Sequence, residues 1–305
     1  MFAEDLKEQL KNTHAFVVTP FEKGNRGRLD VKALSKNVGF LIEHGVKVLV
    51  IGGGTGEVNA LSNSELATLA RTAVDVAGFS TLVIPTLPEN PGAALELAPV
   101  YERMGARVAL GMAPYIRNDV PDDLTGVLNH YRVLAGASGL ALMPYNTQAW
   151  PAAFFLRLAE VDRIIGIKDP CRAPHNLFAA IQRLGDRFVW IGNKRHDPGV
   201  LHLRFQMGID GFTAGFVNFA PQYELELFEL ACRKDWEGMA LIQRRLAPLE
   251  RLRARYGDVA MIKAAMDLVG LSGGPVRPPR VDVPAEGRRE IRAALTRLGL
   301  ETIGA

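Results

Sequence analysis

Two cysteines in 305 residues are too few for a disulfide framework, and at positions 171 and 232 they stand too far apart for a metal or redox spacing. They are expected to remain free thiols in a reducing compartment. No apolar run reaches the length of a membrane span. The opening Met1-Phe-Ala-Glu-Asp-Leu-Lys lacks the basic-then-apolar order of a secretory signal. No membrane partner is therefore expected, and the cytoplasm is the expected location. A block of one charge sign is missing as well: 36 basic and 33 acidic side chains leave a formal net charge of +3, which offers nucleic acid no electrostatic footprint. The arginines at 244–245 and within 251–255 alternate with apolar residues at helical spacing and read as solvated helix faces.

What is present is an ordinary globular composition, 48% hydrophobic and 23% charged. The length suits one large α/β barrel, or a domain of about 200–250 residues with an appendage. Short β-branched runs alternate with longer amphipathic ones. Strands are expected near 14–19, 47–51, 81–86, 107–112, 140–143, 164–168, 188–191 and 211–215, each followed by a helical segment. Gly45 reads as the cap past the first of these helices. Ser62-Asn-Ser-Glu65 reads as a capping box. Eight such units with short connections point to an α/β fold of the (β/α)8 TIM-barrel type, with a doubly wound sheet as the alternative. The alternation stops near residue 235. Residues 1–233 are expected to form the barrel and carry the site, and 234–305 a helical C-terminal appendage packed on it, with a structural role.

In a barrel the chemistry gathers at the C-terminal strand ends. Lys168 closes the run Arg163-Ile-Ile-Gly-Ile-Lys168, where lost hydration would disfavour its ammonium and leave a nucleophilic amine; the competing reading is a solvated strand-end lysine. Tyr145 ends the adjacent strand. A phenol there could move protons for a carbinolamine, or simply pack. The loop Gly52-Gly-Gly-Thr-Gly-Glu57 lacks the Lys-Ser/Thr ending of a P-loop and the last glycine of a dinucleotide fingerprint. It can offer amides and the Thr55 hydroxyl to a carboxylate, or serve only as a tight turn. Nothing in the pattern asks for a metal or a cofactor. Asn193, Lys194 and Arg195 could read the far end of a substrate, with a solvated loop as the preferred reading.

The motifs Val18-Thr-Pro-Phe21, Gly53-Gly-Thr-Gly-Glu57 followed by Leu61-Ser62 and Glu65, Pro144-Tyr-Asn146, Gly166-Ile-Lys-Asp169 and Gly274-Pro-Val-Arg-Pro-Pro279 occur in this order. Together, over residues 16–300, they resemble the dihydrodipicolinate synthase and N-acetylneuraminate lyase family of class I aldolases. The resemblance implies a (β/α)8 barrel with a helical C-terminal region, assembled as a homo-oligomer, a tetramer or a dimer. It implies that Lys168 forms a Schiff base with a small-molecule 2-oxo acid, that Tyr145 moves protons, and that Gly54 and Thr55 hold the carboxylate. The synthase branch has a second threonine in the loop, a relay tyrosine after the fourth strand and an arginine five residues after the main tyrosine. Here those positions read Gly54, Ile116 and Trp150. The Gly-Gly-Thr-Gly-Glu loop, Pro114-Tyr115-Ile116 and Phe216-Val-Asn-Phe-Ala-Pro221 look more like the 5-dehydro-4-deoxyglucarate dehydratase branch. The expected reaction is thus dehydration of a deoxy 2-oxo sugar acid. A pyruvate-dependent aldolase and an oxo-acid-binding barrel without turnover are the alternatives.

Overall fold

A computed structural model describes residues 2–114, 124–194 and 199–303. The strands are β1 (Thr13–Phe16), β2 (Phe21–Glu22), β3 (Asn25–Leu29), β4 (Val48–Ile51), β5 (Leu82–Leu87), β6 (Val108–Met112), β7 (Ala141–Tyr145), β8 (Gly166–Lys168), β9 (Val189–Asn193) and β10 (Gly211–Ala214). All but β2 and β3 pair in parallel and in sequence, and β1 closes the ring against both β10 and β4. The closed ring decides for the barrel over the doubly wound sheet. A barrel strand is covered on both faces, by helices outside and by the other strands within. Val48-Leu-Val-Ile51 is accordingly apolar at every position and wholly buried.

The helices are α1 (Phe2–Leu10), α2 (Val31–Glu43), α3 (Asn63–Ala77), α4 (Pro91–Arg103), α5 (Thr125–Gly136), α6 (Ala152–Leu158), α7 (Pro174–Leu184), α8 (Leu201–Met207), α9 (Pro221–Cys232), α10 (Trp236–Tyr256), α11 (Asp258–Leu268) and α12 (Ala285–Arg297). Local sequence starts and stops them as expected. The Asp30 side chain accepts from the Ala33 amide at the head of α2. Gly45, at φ +86°, follows its last turn, and the Val46 amide reaches back to Leu41. At α3 the Ser62 hydroxyl accepts from the Glu65 amide while the Glu65 carboxylate accepts from the Ser62 amide.

Two elements escaped the alternation. Helix α1 presses Leu6 and Leu10, both fully buried, against the barrel. The β2–β3 hairpin occupies what reads as a polar loop. Among the described residues no helix is long and apolar enough to cross a membrane.

Candidate active site

The barrel register sets the centre of the site. Tyr145 and Lys168 are direct partners across β7 and β8, each the last residue of its strand, so both side chains leave at the same mouth. Lys168 is only 4% exposed. Its Nζ lies 3.2 Å from the centre of the Tyr145 ring and 4.6 Å from that of Phe16. Ring faces favour an ammonium, as do the Tyr145 phenol and the carboxylates of Asp258 and Asp169. Burial outweighs them, and the Lys168 pKa falls below that of a free lysine. The result is an amine that loses its proton more readily than an exposed one, held between two aromatic faces.

Loop 52–57 curls beside it. A Cβ on Gly53 would meet the Phe16 ring at 2.9 Å, and one on Gly56 would meet the Gly52 backbone at 3.0 Å, so a side chain at either position would crowd the turn. The Thr19 hydroxyl donates to the Gly56 carbonyl at 2.6 Å and pins the loop to the end of β1. The carbonyls of Gly53 and Gly54 accept from Val58 and Glu57. The amides of Gly54 and Thr55 donate to no group among the described residues, and the Thr55 hydroxyl makes no hydrogen bond there either. The tight turn is thus present, and it leaves two amides and a hydroxyl of the kind that can receive an anion.

Asn146 and Asp169, the residues following Tyr145 and Lys168, tie the two loops together. The Asn146 side-chain Nδ2 donates to the Asp169 carboxylate at 2.6 Å, and the Asn146 side-chain Oδ1 accepts from the Trp150 backbone amide. The other Asp169 oxygen accepts from the Cys171 amide. Trp150 is buried among Tyr131, Phe154 and Phe155, with its indole N–H on Gln148.

Gly54, Thr55, Tyr145 and Lys168 all line one cavity of about 440 Å³, with Asn193 and Thr213 on its wall. Much of the remaining lining comes from beyond the barrel, including Arg253, Tyr256, Asp258 and Arg280. The C-terminal region therefore supplies part of this cavity's wall, in addition to the structural role expected of it. Nor is Arg253 on a solvated face: it is buried, with its guanidinium on the Asp258 carboxylate and 3.5 Å from Glu250. Helical spacing reports which residues share a face, but only the tertiary fold decides which face is covered. Lys194 corrects a similar expectation. It is buried rather than part of a solvated loop, 2.8 Å from Glu250 and 3.0 Å from Glu224, because α9 and α10 close over the end of β9. Arg195, Tyr115 and Ile116 lie outside the described residues.

Glu57 is committed to structure. It sits at φ +62° and receives the Lys263 ammonium at 2.6 Å and the Arg277 amide at 3.0 Å. Arg277 in turn grips Glu65 through both terminal nitrogens and donates to the carbonyls of Ala60 and Gly27. Two motifs more than 200 positions apart are thus one construction.

The model of the dihydrodipicolinate synthetase family matches residues 9–298. The chain belongs to this family. Family members are class I lyases, and this chain is an enzyme of that type. It is 27% identical over 295 residues, 95% of each chain, to a protein of Pseudomonas entomophila named a probable 5-dehydro-4-deoxyglucarate dehydratase. It is 29% identical over 289 residues to a 4-hydroxy-tetrahydrodipicolinate synthase of Acidothermus cellulolyticus, covering 93% of this chain and 91% of the other. The dihydrodipicolinate synthase of Oceanobacillus iheyensis superposes with a TM-score of 0.90 at 24% identity, covering 97% and 99% of the two chains, and shows the shared fold. That of Acinetobacter baumannii, solved in complex with pyruvate, gives 0.85 at 26% identity over 94% and 98%.

Proposed function

We propose that this lyase forms an imine between Lys168 and a 2-oxo acid and dehydrates a deoxy 2-oxo sugar acid. The observation that carries the reading is the buried Lys168 amine held 3.2 Å from the Tyr145 ring centre, in a cavity also lined by Gly54 and Thr55, whose amides donate to no group among the described residues. The substrate carboxylate takes those amides and the Thr55 hydroxyl. Nζ then attacks the C2 carbonyl, and the carbinolamine loses its oxygen as water, with Tyr145 moving the protons. The iminium withdraws electrons from C3, so a C3 proton leaves and an enamine forms. The enamine expels the C4 hydroxyl, which takes up a proton and departs as a second water, and one water then hydrolyses the unsaturated iminium to free the dehydrated oxo acid and Lys168. Several curated relatives at 26–28% identity carry the name probable 5-dehydro-4-deoxyglucarate dehydratase, which supports this reaction over the others.

A pyruvate-dependent aldolase would use the same iminium to break a carbon–carbon bond. The synthase version of that chemistry is disfavoured here, because Trp150 is packed into an aromatic cluster and lends no cation to a second substrate.

Borohydride reduction with pyruvate and a panel of 2-oxo acids, read by intact mass, tests the proposal. A reduced adduct is expected on the wild-type chain and none on Lys168→Ala. A wild-type chain that gives no adduct, or a variant that still gives one, overturns the imine chemistry. An adduct without turnover of any deoxy sugar acid leaves a binding barrel.

A further inference from the structure

The motif Gly274-Pro-Val-Arg-Pro-Pro-Arg280 places two arginines three residues apart, and the fold treats them oppositely. The Arg277 guanidinium is fully engaged, on Glu65 and two carbonyls, and its amide is held by Glu57. The Arg280 amide donates to the Arg277 carbonyl at 3.0 Å, so the backbone that carries Arg280 is anchored. Its guanidinium makes no hydrogen bond among the described residues. Its Nη1 stands 3.9 Å from Glu57 Oε2, too far for a hydrogen bond, and that carboxylate already serves the Lys263 ammonium and the Arg277 amide. Arg280 nonetheless lines the cavity that holds Lys168 and Thr55.

Charge at the mouth points the same way. Arg253, the other arginine of the lining, is neutralised by Asp258 and Glu250. Lys263 is neutralised by Glu57. Arg280 is thus a guanidinium on a fixed turn, with its forked donors unused, facing the cavity from the segment opposite the barrel strands. A planar fork of this kind matches a carboxylate in two-point geometry.

We propose that Arg280 is a specificity-determining residue that receives the distal carboxylate of a 2-oxo dicarboxylic acid whose oxo end lies at Lys168. This rests on the imine reading above and deepens it, because the unengaged amides of Gly54 and Thr55 account for only the proximal carboxylate.

The test compares three probes in the borohydride assay: pyruvate, 2-oxohexanoate and 2-oxoadipate. The last two have the same carbon number and differ in a distal carboxylate. On the wild-type chain 2-oxoadipate should half-saturate trapping at about tenfold lower concentration than 2-oxohexanoate, the worth of a charge-assisted hydrogen bond. In Arg280→Gln that ratio should fall to near unity, and in Arg280→Lys to an intermediate value. Circular dichroism and the pyruvate adduct report whether each variant is folded. A ratio near unity on the wild-type chain, or one that Arg280→Gln leaves intact, overturns the assignment while the pyruvate adduct still supports the imine. Failure of all three acids to trap on the wild-type chain overturns both.

Discussion

The Glu57 carboxylate and the Lys263 ammonium meet at 2.6 Å with both side chains sealed from solvent, at 0% and 1% exposure. One belongs to the loop that bends beside Lys168, the other to α11. The pair joins the barrel mouth to the C-terminal helices from the inside, and the Pro275 carbonyl completes the lysine's surroundings at 2.8 Å. The shape of the amide-bearing loop is therefore set partly by residues more than 200 positions downstream.

Removing one partner leaves the other charged, buried and unmatched. Glu57→Gln is expected to lower the unfolding free energy by about 3–5 kcal/mol, read from the midpoint of a urea titration. The double change Glu57→Gln with Lys263→Met should recover part of the loss, since no bare charge then remains. A single variant as stable as the parent would show that the pair does not clamp the loop.

Lys168 should reveal its burial through pH. Its pKa is lowered in the fold, chiefly by desolvation, while an unfolded lysine keeps its proton to about 10.4. The rate of trapping by pyruvate should rise with pH and level off at a midpoint below 10.4, because only the neutral amine attacks. Between the native and unfolded pKa values the unfolded chain binds the extra proton, so stability rises with pH across that window. Below it the buried ammonium is a full cost to the fold. Lys168→Met should accordingly raise Tm at neutral pH, by an amount that shrinks as the pH climbs through the window. A trapping profile that follows a free lysine would contradict the burial argument.

His14 makes the opposite edge of the pH range sensitive. The imidazole is wholly buried on β1, its Nε2 donating to the Leu10 carbonyl at 2.7 Å and its Nδ1 without a partner among the described residues. Burial first, with the Lys168 charge as a lesser cause, brings its pKa down to about 4. Below pH 6.5 the unfolded chain takes up a proton that the native chain refuses, so stability falls as the pH drops from 6.5 toward 4. The full depression corresponds to about 3 kcal/mol. His14→Gln, which retains a donor for Leu10 and does not titrate, should flatten this part of the stability profile by a similar amount, at whatever baseline cost the substitution carries. An unchanged acid limb would assign the loss to other groups.

Local signals read from the sequence were those that depend on near neighbours. The Ser62–Glu65 box and the Gly45 cap are local constructions, and they appear where the spacing put them. The eight-fold alternation carried the barrel, and the strand ends carried Lys168 and Tyr145 to one mouth. The C-terminal half of the cavity was not legible. Arg253 looks like a surface residue of a charged helix, because nothing local tells which helix face the barrel will cover. Lys194 failed for the same reason, since its partners Glu224 and Glu250 sit on helices 30 and 56 positions away. Glu57 was legible as part of a motif but not as a structural anchor, a role that Lys263 assigns to it.

The adjacent glycines of the loop offer a matched pair of substitutions. A methyl group on Gly53 would press on the Phe16 ring at 2.9 Å, and that ring lies against the Lys168 amine. A rigid ring cannot yield by rotating a flexible end, so Gly53→Ala should cost about 1–3 kcal/mol of stability and slow pyruvate trapping by displacing one wall of the lysine's surroundings. At Gly54 a Cβ meets nothing within 4 Å, so Gly54→Ala should stay within about 0.5 kcal/mol of the parent. Its amide remains in place for a carboxylate, and trapping by pyruvate should change little. Gly54→Pro removes that amide hydrogen, and the half-saturating pyruvate concentration should rise by about tenfold or more, the worth of a hydrogen bond to a charged group. Urea titration and trapping on the three variants separate space from hydrogen bonding. If Gly53→Ala and Gly54→Ala behave alike, Phe16 does not confine Lys168; if Gly54→Pro folds and traps pyruvate as the parent does, the carboxylate is held elsewhere.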